Sequence, residues 1–327
     1  MSPAEGGGGV RGLRSRAVRD RTRRDYHKAF SLFRDYIITT FGYTLTRAMP
    51  AIVMDFFLEH YIDHLYEFYA GSMQHLAVRA RQGVFQELGY AYRGHLPNAS
   101  RCLTAWQRLH PSKSRNPLPR GWVDLVAVTM ALRGNARAGV GVLLAYEGYL
   151  RVSELLGLRR EHVLLPAQAA VDFGVRDTHC GLHLPSTKRG VNQFVRIVDP
   201  AIIRYLQWLV STTPPGGLLF PALTPRKLNH LIRVSLRLWG LPDDFSMHSL
   251  RHGRAAAQFL ADVHPDVIRR EGRWSVLFSM EPYLQAALAL TLQLRGAGAL
   301  GAAAFLPYAG SLRPFLVELS SLVCAAQ

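Results

Sequence analysis

Cysteine is scarce in this chain: Cys102, Cys180 and Cys324 are the only three in 327 residues. An odd, scattered set offers neither a disulfide framework nor a metal-ligand spacing, and it points to a reducing, intracellular setting. No Gly-rich loop precedes a Lys-Ser/Thr pair, so nucleotide hydrolysis of the P-loop kind is not expected. There is no His-Glu-x-x-His, the thirteen histidines show no ligand spacing, and a Gly-x-Ser-x-Gly elbow is missing. The N-terminal stretch lacks the apolar core of a secretory signal. The nearest thing to a membrane span, 296–312, is rich in Gly and Ala and carries Pro307. It is also shorter than the roughly 20 residues a span needs. No metal, no cofactor and no membrane is therefore expected.

What is plentiful is positive charge. Lys and Arg number 39 against 23 Asp and Glu, a formal net charge of +16. Such an excess favours a polyanionic partner, nucleic acid first and an anionic membrane second. The competing reading is a basic protein from a genome that favours Arg codons. The hydrophobic fraction of 49% is that of a chain with a true core. Residues 1–25 combine Gly6–Gly9 with several arginines and read as a flexible basic arm.

From Tyr26 a helical period appears, with Tyr26, Phe30, Phe33 and Ile37 on one face. A second helix reads through AIVMDFFLEHYIDHLYEFYAG. A third follows Ser72 as its N-cap and carries Arg79, Arg81 and Arg93. A shorter one runs through ASRCLTAWQRLH, closing a helical block over 26–110. Three prolines and no apolar period make 111–120 a linker. Helices then follow at about 121–133 and 136–149. Two extended runs, Gly181–Pro185 and Gln193–Val198, form a β-hairpin with Lys188 near its tip. Further helices are expected at 200–210, from Thr224 as N-cap with Pro225 at the first position, near His248, at 265–271 and at about 276–292. After 292 the chain dissolves into Gly and Ala, a tail of uncertain order over 293–327. The fold class is mainly α with a small β-hairpin or sheet.

Chemistry enters with LLAYEGYLRVSELLGLRRE, 143–161, which reads as an apolar helical run with Arg151 in its middle. A guanidinium is rarely buried without a partner. Either Glu154, three residues on, pairs with Arg151 locally, or Arg151 awaits an anion. His248 and Arg251 lie three apart and share a helix face. Trp274 and Tyr283 are, taken singly, ordinary core aromatics.

Taken in order, LRVSELLGLRREHV, TKRGVNQFVRI, HSLRHGRAAA and GRWSVLFSMEPYL resemble the motifs of the tyrosine recombinase/integrase family. These are DNA strand transferases; the match covers roughly 115–290, and the catalytic domain it implies is 121–292. The block 26–110 resembles the family's core-binding domain in kind only. The resemblance implies a two-domain, C-shaped clamp on double-stranded DNA. It implies Arg151 and Arg251 as clamps on the scissile phosphate and Tyr283 as nucleophile. His248 would take up a proton, Lys188 would act as general acid, and Trp274 would stand where many relatives carry histidine. Glu154 and His252 are supporting residues. Arg189 and Lys227 compete with Lys188 for its role, and His252 competes with His248. Tyr308, in the tail without helical context, is a rival nucleophile in name only.

Arg79, Arg81, Arg93, Arg226, Lys227 and Arg233 are candidates for DNA contacts, with a solvated basic helix face as the alternative for each. The expected activity is site-specific recombination through a 3′-phosphotyrosyl intermediate, with neither ATP nor metal, by a mobile-element enzyme. Its expected assembly is a homotetramer on paired sites, with an accessory DNA-bending protein as a further partner. The expected location is the nucleus of a eukaryote or the nucleoid of a bacterium. Two other readings remain open: type IB topoisomerase-like relaxation, and a domesticated, non-catalytic DNA-binding protein.

Overall fold

The computed structural model describes residues 20–69, 72–110, 116–166, 179–187, 190–277, 280, 283–284, 289–292, 294 and 300–325. The chain divides into two compact units, Met1–Lys113 and Ser114–Gln327. No helix among the described residues is long and apolar enough to cross a membrane.

The first unit is helical: α1 (Asp20–Phe41), α2 (Ala51–Tyr69), α3 (Gln74–Glu87) and α4 (Pro97–Leu109). The apolar period read from the sequence is its inner face. Phe30, Phe33 and Ile37 of α1 are buried against Met54, Phe57, Leu58 and Tyr61 of α2 and Trp106 of α4. Asp55 is a buried carboxylate that accepts from the backbone N–H groups of Asn98 at 2.9 Å and Ala99 at 3.0 Å. It thus serves the unsatisfied first turn of α4 from a neighbouring helix. Two expectations fail here. Ser72 does not cap α3; its hydroxyl donates backwards to the Tyr69 carbonyl at 2.7 Å, and Met73 takes the N-cap position. Arg93 is not on α3, which ends at Glu87; it follows a 3-10 turn at Tyr90–Tyr92.

The second unit is built on α5 (Arg120–Leu132) and α6 (Ala136–Glu147). From Trp122 to Ala131 every residue of α5 is buried. A helix apolar on all sides must be covered on all sides. Around this pair stand α7 (Val152–Leu156), α8 (Pro200–Thr212), α9 (Pro225–Leu238), α10 (Met247–Leu260) and α11 (Pro265–Glu271). Thr224 caps α9 as expected, accepting from Lys227 N at 3.1 Å, with Pro225 at the first turn. The hairpin is β2 (Cys180–Thr187) and β3 (Gly190–Ile197), with Leu182 opposite Val195. A short strand, β1 (Val163–Leu164), adds to it and makes an antiparallel sheet in the order β1-β2-β3. Its alternate residues Cys180, Leu182, Leu184, Val195 and Ile197 face the core. Helix α10 approaches the backbone at Leu118 so closely that a Cβ at Gly253 would lie 1.9 Å from the Leu118 carbonyl oxygen.

The C-terminal segment departs most from expectation. Residues 300–325 form α12 (Leu300–Leu312), a 3-10 turn at Arg313–Phe315 and α13 (Leu316–Ala325). Tyr308 therefore does have a helical context. These helices join the core of the second unit: Ala302, Ala309 and Leu316 are fully buried in it, and Phe305 stacks on Trp239 at 4.8 Å. Small residues let α12 approach, and its apolar character all round gives no amphipathic period to read. Arg313 fixes the turn by pairing with Asp199 and, at 3.6 Å, with Asp124. Asp124 also takes Arg120 at 3.3 Å. The Leu316 N–H donates to the Tyr205 hydroxyl at 2.9 Å. Arg313→Ala would leave two largely buried carboxylates short of a cation. It should destabilise the second unit by about 3 kcal/mol, read as a lowered urea midpoint with an unchanged slope.

Candidate active site

The run at 143–161 is not one helix. Helix α6 stops at Glu147, the chain turns through Gly148 and Tyr149, and α7 begins at Val152. Tyr149 has φ +51°, a left-handed conformation unusual for a bulky side chain. The break puts Arg151 at the N-cap of α7 rather than inside a helix. The local pair exists. Glu154 accepts from Arg151 N at 2.9 Å and from Arg151 Nη1 at 2.6 Å. It is not exclusive, because Glu154 also accepts from Arg273 Nη2 at 2.7 Å. Burial raises the Glu154 pKa, but the hydrogen bonds and charges of Arg151 and Arg273 prevail and hold it below its ordinary 4.5.

Arg251 projects from α10 and is buried. Its guanidinium donates to the carbonyls of Tyr149 and Gly272 and lies 4.3 Å from the centroid of the Trp274 ring. Arg273 donates to the Gly148 and Tyr149 carbonyls, both at 3.2 Å. Burial, then the charges of Arg151 and Arg273, press the Arg251 pKa downward, although a guanidinium keeps its proton at neutral pH. Three guanidinium groups thus gather around one carboxylate, an excess of two positive charges. A partly desolvated cluster of that kind is suited to an anion carrying more than one negative charge.

Tyr283 stands beside this cluster. Its hydroxyl is 3.2 Å from His248 Nε2, its ring stacks on His252 at 4.0 Å, and Trp274 meets it edge-on at 4.8 Å. His248 is therefore the histidine at the hydroxyl, and His252 the platform under the ring. Tyr149, Ala255, Ile268, Trp274 and Met280 form a small separate core against which Tyr283 packs. Beside it a cavity of about 440 Å³ opens between Gln193 and Phe194 of β3 and the arginines 269, 270 and 273. Among the described residues no group of three His, Cys, Asp or Glu is placed to hold a metal ion.

No protein-family model and no curated protein matches the sequence. Solved structures do match in three dimensions. The XerH site-specific recombinase, bound to its palindromic difH substrate in a post-cleavage complex, superposes with a TM-score of 0.57 at 15% identity. The match covers 84% of this chain and 78% of that one. The Tn1549 transposon integrase, in complex with transposon right end DNA, superposes with a TM-score of 0.52 at 13% identity. It covers 86% of this chain and 96% of that one. The fold is that of a tyrosine recombinase.

In this tyrosine recombinase fold the structure brings Arg151, Glu154, His248, Arg251, His252, Trp274 and Tyr283 together. Lys188 and its neighbour Arg189 lie outside the described residues. Lys227, the other competitor, is exposed on α9 beside Arg226, and Arg233 lies on the same helix. In the first unit Arg79 pairs with Asp25 at 3.6 Å, and Arg93 is exposed. Arg81 lies over the Phe85 ring at 5.5 Å, half-buried rather than reaching outward. Sequence reasoning missed Arg273. Its one signal was its place between Gly272 and Trp274, and no periodicity marks it.

Because Glu154 has a lowered pKa, its stabilising contribution is full above its ordinary 4.5 and is lost as pH falls through the folded value. Glu154→Gln should lower the urea midpoint most above about pH 5, and the gap from wild type should narrow on acidification. A gap independent of pH would show that Glu154 is not held ionised by its arginines.

Proposed function

We propose that the chain is a DNA strand transferase that cuts and rejoins duplex DNA through a 3′-phosphotyrosyl intermediate. One observation carries the reading: the Tyr283 hydroxyl is presented to His248 at 3.2 Å, beside a cluster with an excess of two guanidinium charges, all from one chain. XerH bound to difH and the Tn1549 integrase on transposon end DNA support double-stranded DNA as the substrate here.

In the proposed reaction the Tyr283 oxygen attacks phosphorus. The O–P bond forms, the bond from phosphorus to the 5′-oxygen breaks, and the tyrosine proton passes to His248. Negative charge grows on the non-bridging oxygens, where Arg151 and Arg251 stabilise it by several kcal/mol. The departing 5′-oxygen takes a proton, and Lys188 on the hairpin is the candidate donor. The phosphotyrosine keeps the bond energy, and attack by another strand's 5′-hydroxyl releases Tyr283. Within this reading Tyr283 acts on DNA held by its own chain. A homotetramer on paired sites, an accessory DNA-bending protein and a mobile-element origin belong to the same proposal. Arg226, Lys227 and Arg233, exposed on one helix, are suited to phosphate contacts that set affinity more than sequence choice.

Incubation with sheared DNA at low salt, denaturation and recovery of protein-linked DNA tests this. Wild type should carry covalent DNA and Tyr283→Phe none, while Arg251→Ala should lower the yield by at least about a hundredfold. Exchanged ends support recombination, and relaxed circles without exchange would reassign the enzyme to topoisomerase-like chemistry. DNA binding without any covalent product would favour a non-catalytic binding protein.

A further inference from the structure

Arg273 takes no part in the steps above, yet it is the most heavily used guanidinium in the site. It follows Gly272 at the end of α11 and has φ +57°. A non-glycine residue in the left-handed region persists only where its surroundings hold it there. The turn has little freedom, because a Cβ at Gly272 would lie 1.6 Å from the Trp274 ring. At position 273 a glycine would relieve the strain, and an arginine stands there instead.

Its side chain is 8% exposed, against 20% for that of Arg151. Its three acceptors, the Gly148 and Tyr149 carbonyls and Glu154, lie on either side of Arg151 in the chain, in the turn before it and the first turn of α7. Arg251 answers in the other direction, donating to Tyr149 and to the Gly272 carbonyl. Two left-handed turns, 148–150 and 272–274, are therefore locked together by arginines. One leads into Arg151, the other into Trp274 and the segment ending at Tyr283.

The electrostatics have a direction. Glu154 has one negative charge and a 3% exposed side chain. With Arg151 as its only partner it would neutralise that guanidinium in a closed pair. Arg273 occupies one of its oxygens and divides its charge. Arg151, the more exposed of the two, keeps a positive excess for an incoming anion.

We infer that Arg273 is a positioning residue: by sharing Glu154 it keeps Arg151 from being neutralised, and it holds the Arg151 turn against the segment that bears Tyr283. This rests on the strand-transfer reading given above. It differs from a catalytic role, because Arg273 acts through Glu154 and need not touch DNA.

The test combines rates with a measurement that needs no chemistry. Arg273→Ala should slow covalent-adduct formation by about tenfold or more while DNA affinity holds, and Arg273→Lys should recover part of the rate. Adding Glu154→Gln to Arg273→Ala should slow the reaction no further, because residues acting through one group are not additive. A purely structural role would instead give costs that add. The Arg151 Nε–H signal in a ¹H–¹⁵N spectrum, assigned by its loss in Arg151→Lys, should move in Arg273→Ala and stay in place in the surface control Arg204→Ala, an exposed residue of α8. An unmoved Arg151 signal overturns the inference, whatever the rates. Additive costs, or an unchanged rate, overturn it as well. If wild type forms no adduct, the strand-transfer reading fails, and the Arg151 signal alone decides the positioning claim. Should Arg273→Ala fail to fold, Arg273→Lys carries the test: it keeps the charge and loses the fork, so the signal should still move.

Discussion

A single buried carboxylate, Glu154, accepts from Arg151 at 2.6 Å and from Arg273 at 2.7 Å, and Arg251 lies against the same turn. Like charges gathered out of water repel strongly. They stay together here because Arg251 and Arg273 also have fixed acceptors: Gly148, Tyr149 and Gly272 lend their carbonyls. One carboxylate against three guanidiniums leaves the site short of negative charge. That shortage, rather than any single side chain, is what the proposed strand transfer would draw on as charge builds on a phosphate diester.

Such a site needs a rigid floor. The buried pair α5 and α6 supplies it, and Tyr149 at the end of α6 turns directly into the cluster. Helices α12 and α13 then close over α5, so that the chain beyond Tyr283 returns to the same core. The segment that bears Tyr283 is thereby anchored on both sides. Trp274 is seated against Gly272 and Arg251 before it, and Ala302, Ala309 and Leu316 are buried after it.

How much of this could be read from residues alone depended on periodicity. Helix α1, with its buried stripe of Phe30, Phe33 and Ile37, and α9, with Thr224 and Pro225, announced themselves. So did the hairpin, through its alternation. The candidate site residues stood out as an ordered set that resembles a family. Their geometry was not: nothing local says that Gly148 and Tyr149 break an otherwise apolar run, because the break is stabilised by arginines more than a hundred residues away. The same holds for Arg273, whose partners are distant in sequence. Residues 300–325 were misjudged because their glycines and Pro307 lower helix propensity and no amphipathic period marks the segment, whereas here tertiary burial decides. Arg93 slipped off its helix because the pattern of aromatics continues past Glu87 into the 3-10 turn at Tyr90–Tyr92.

The central claim is that the cluster is built for a multiply charged oxyanion. Calorimetric titration with tungstate at low ionic strength tests it without a DNA target. Wild type should bind one tungstate more than the Arg151→Met/Arg251→Met variant, whose remaining guanidinium is matched by Glu154. Equal binding by the two proteins would contradict the claim: the arginines would then be structural, and the phosphate would have to be held elsewhere.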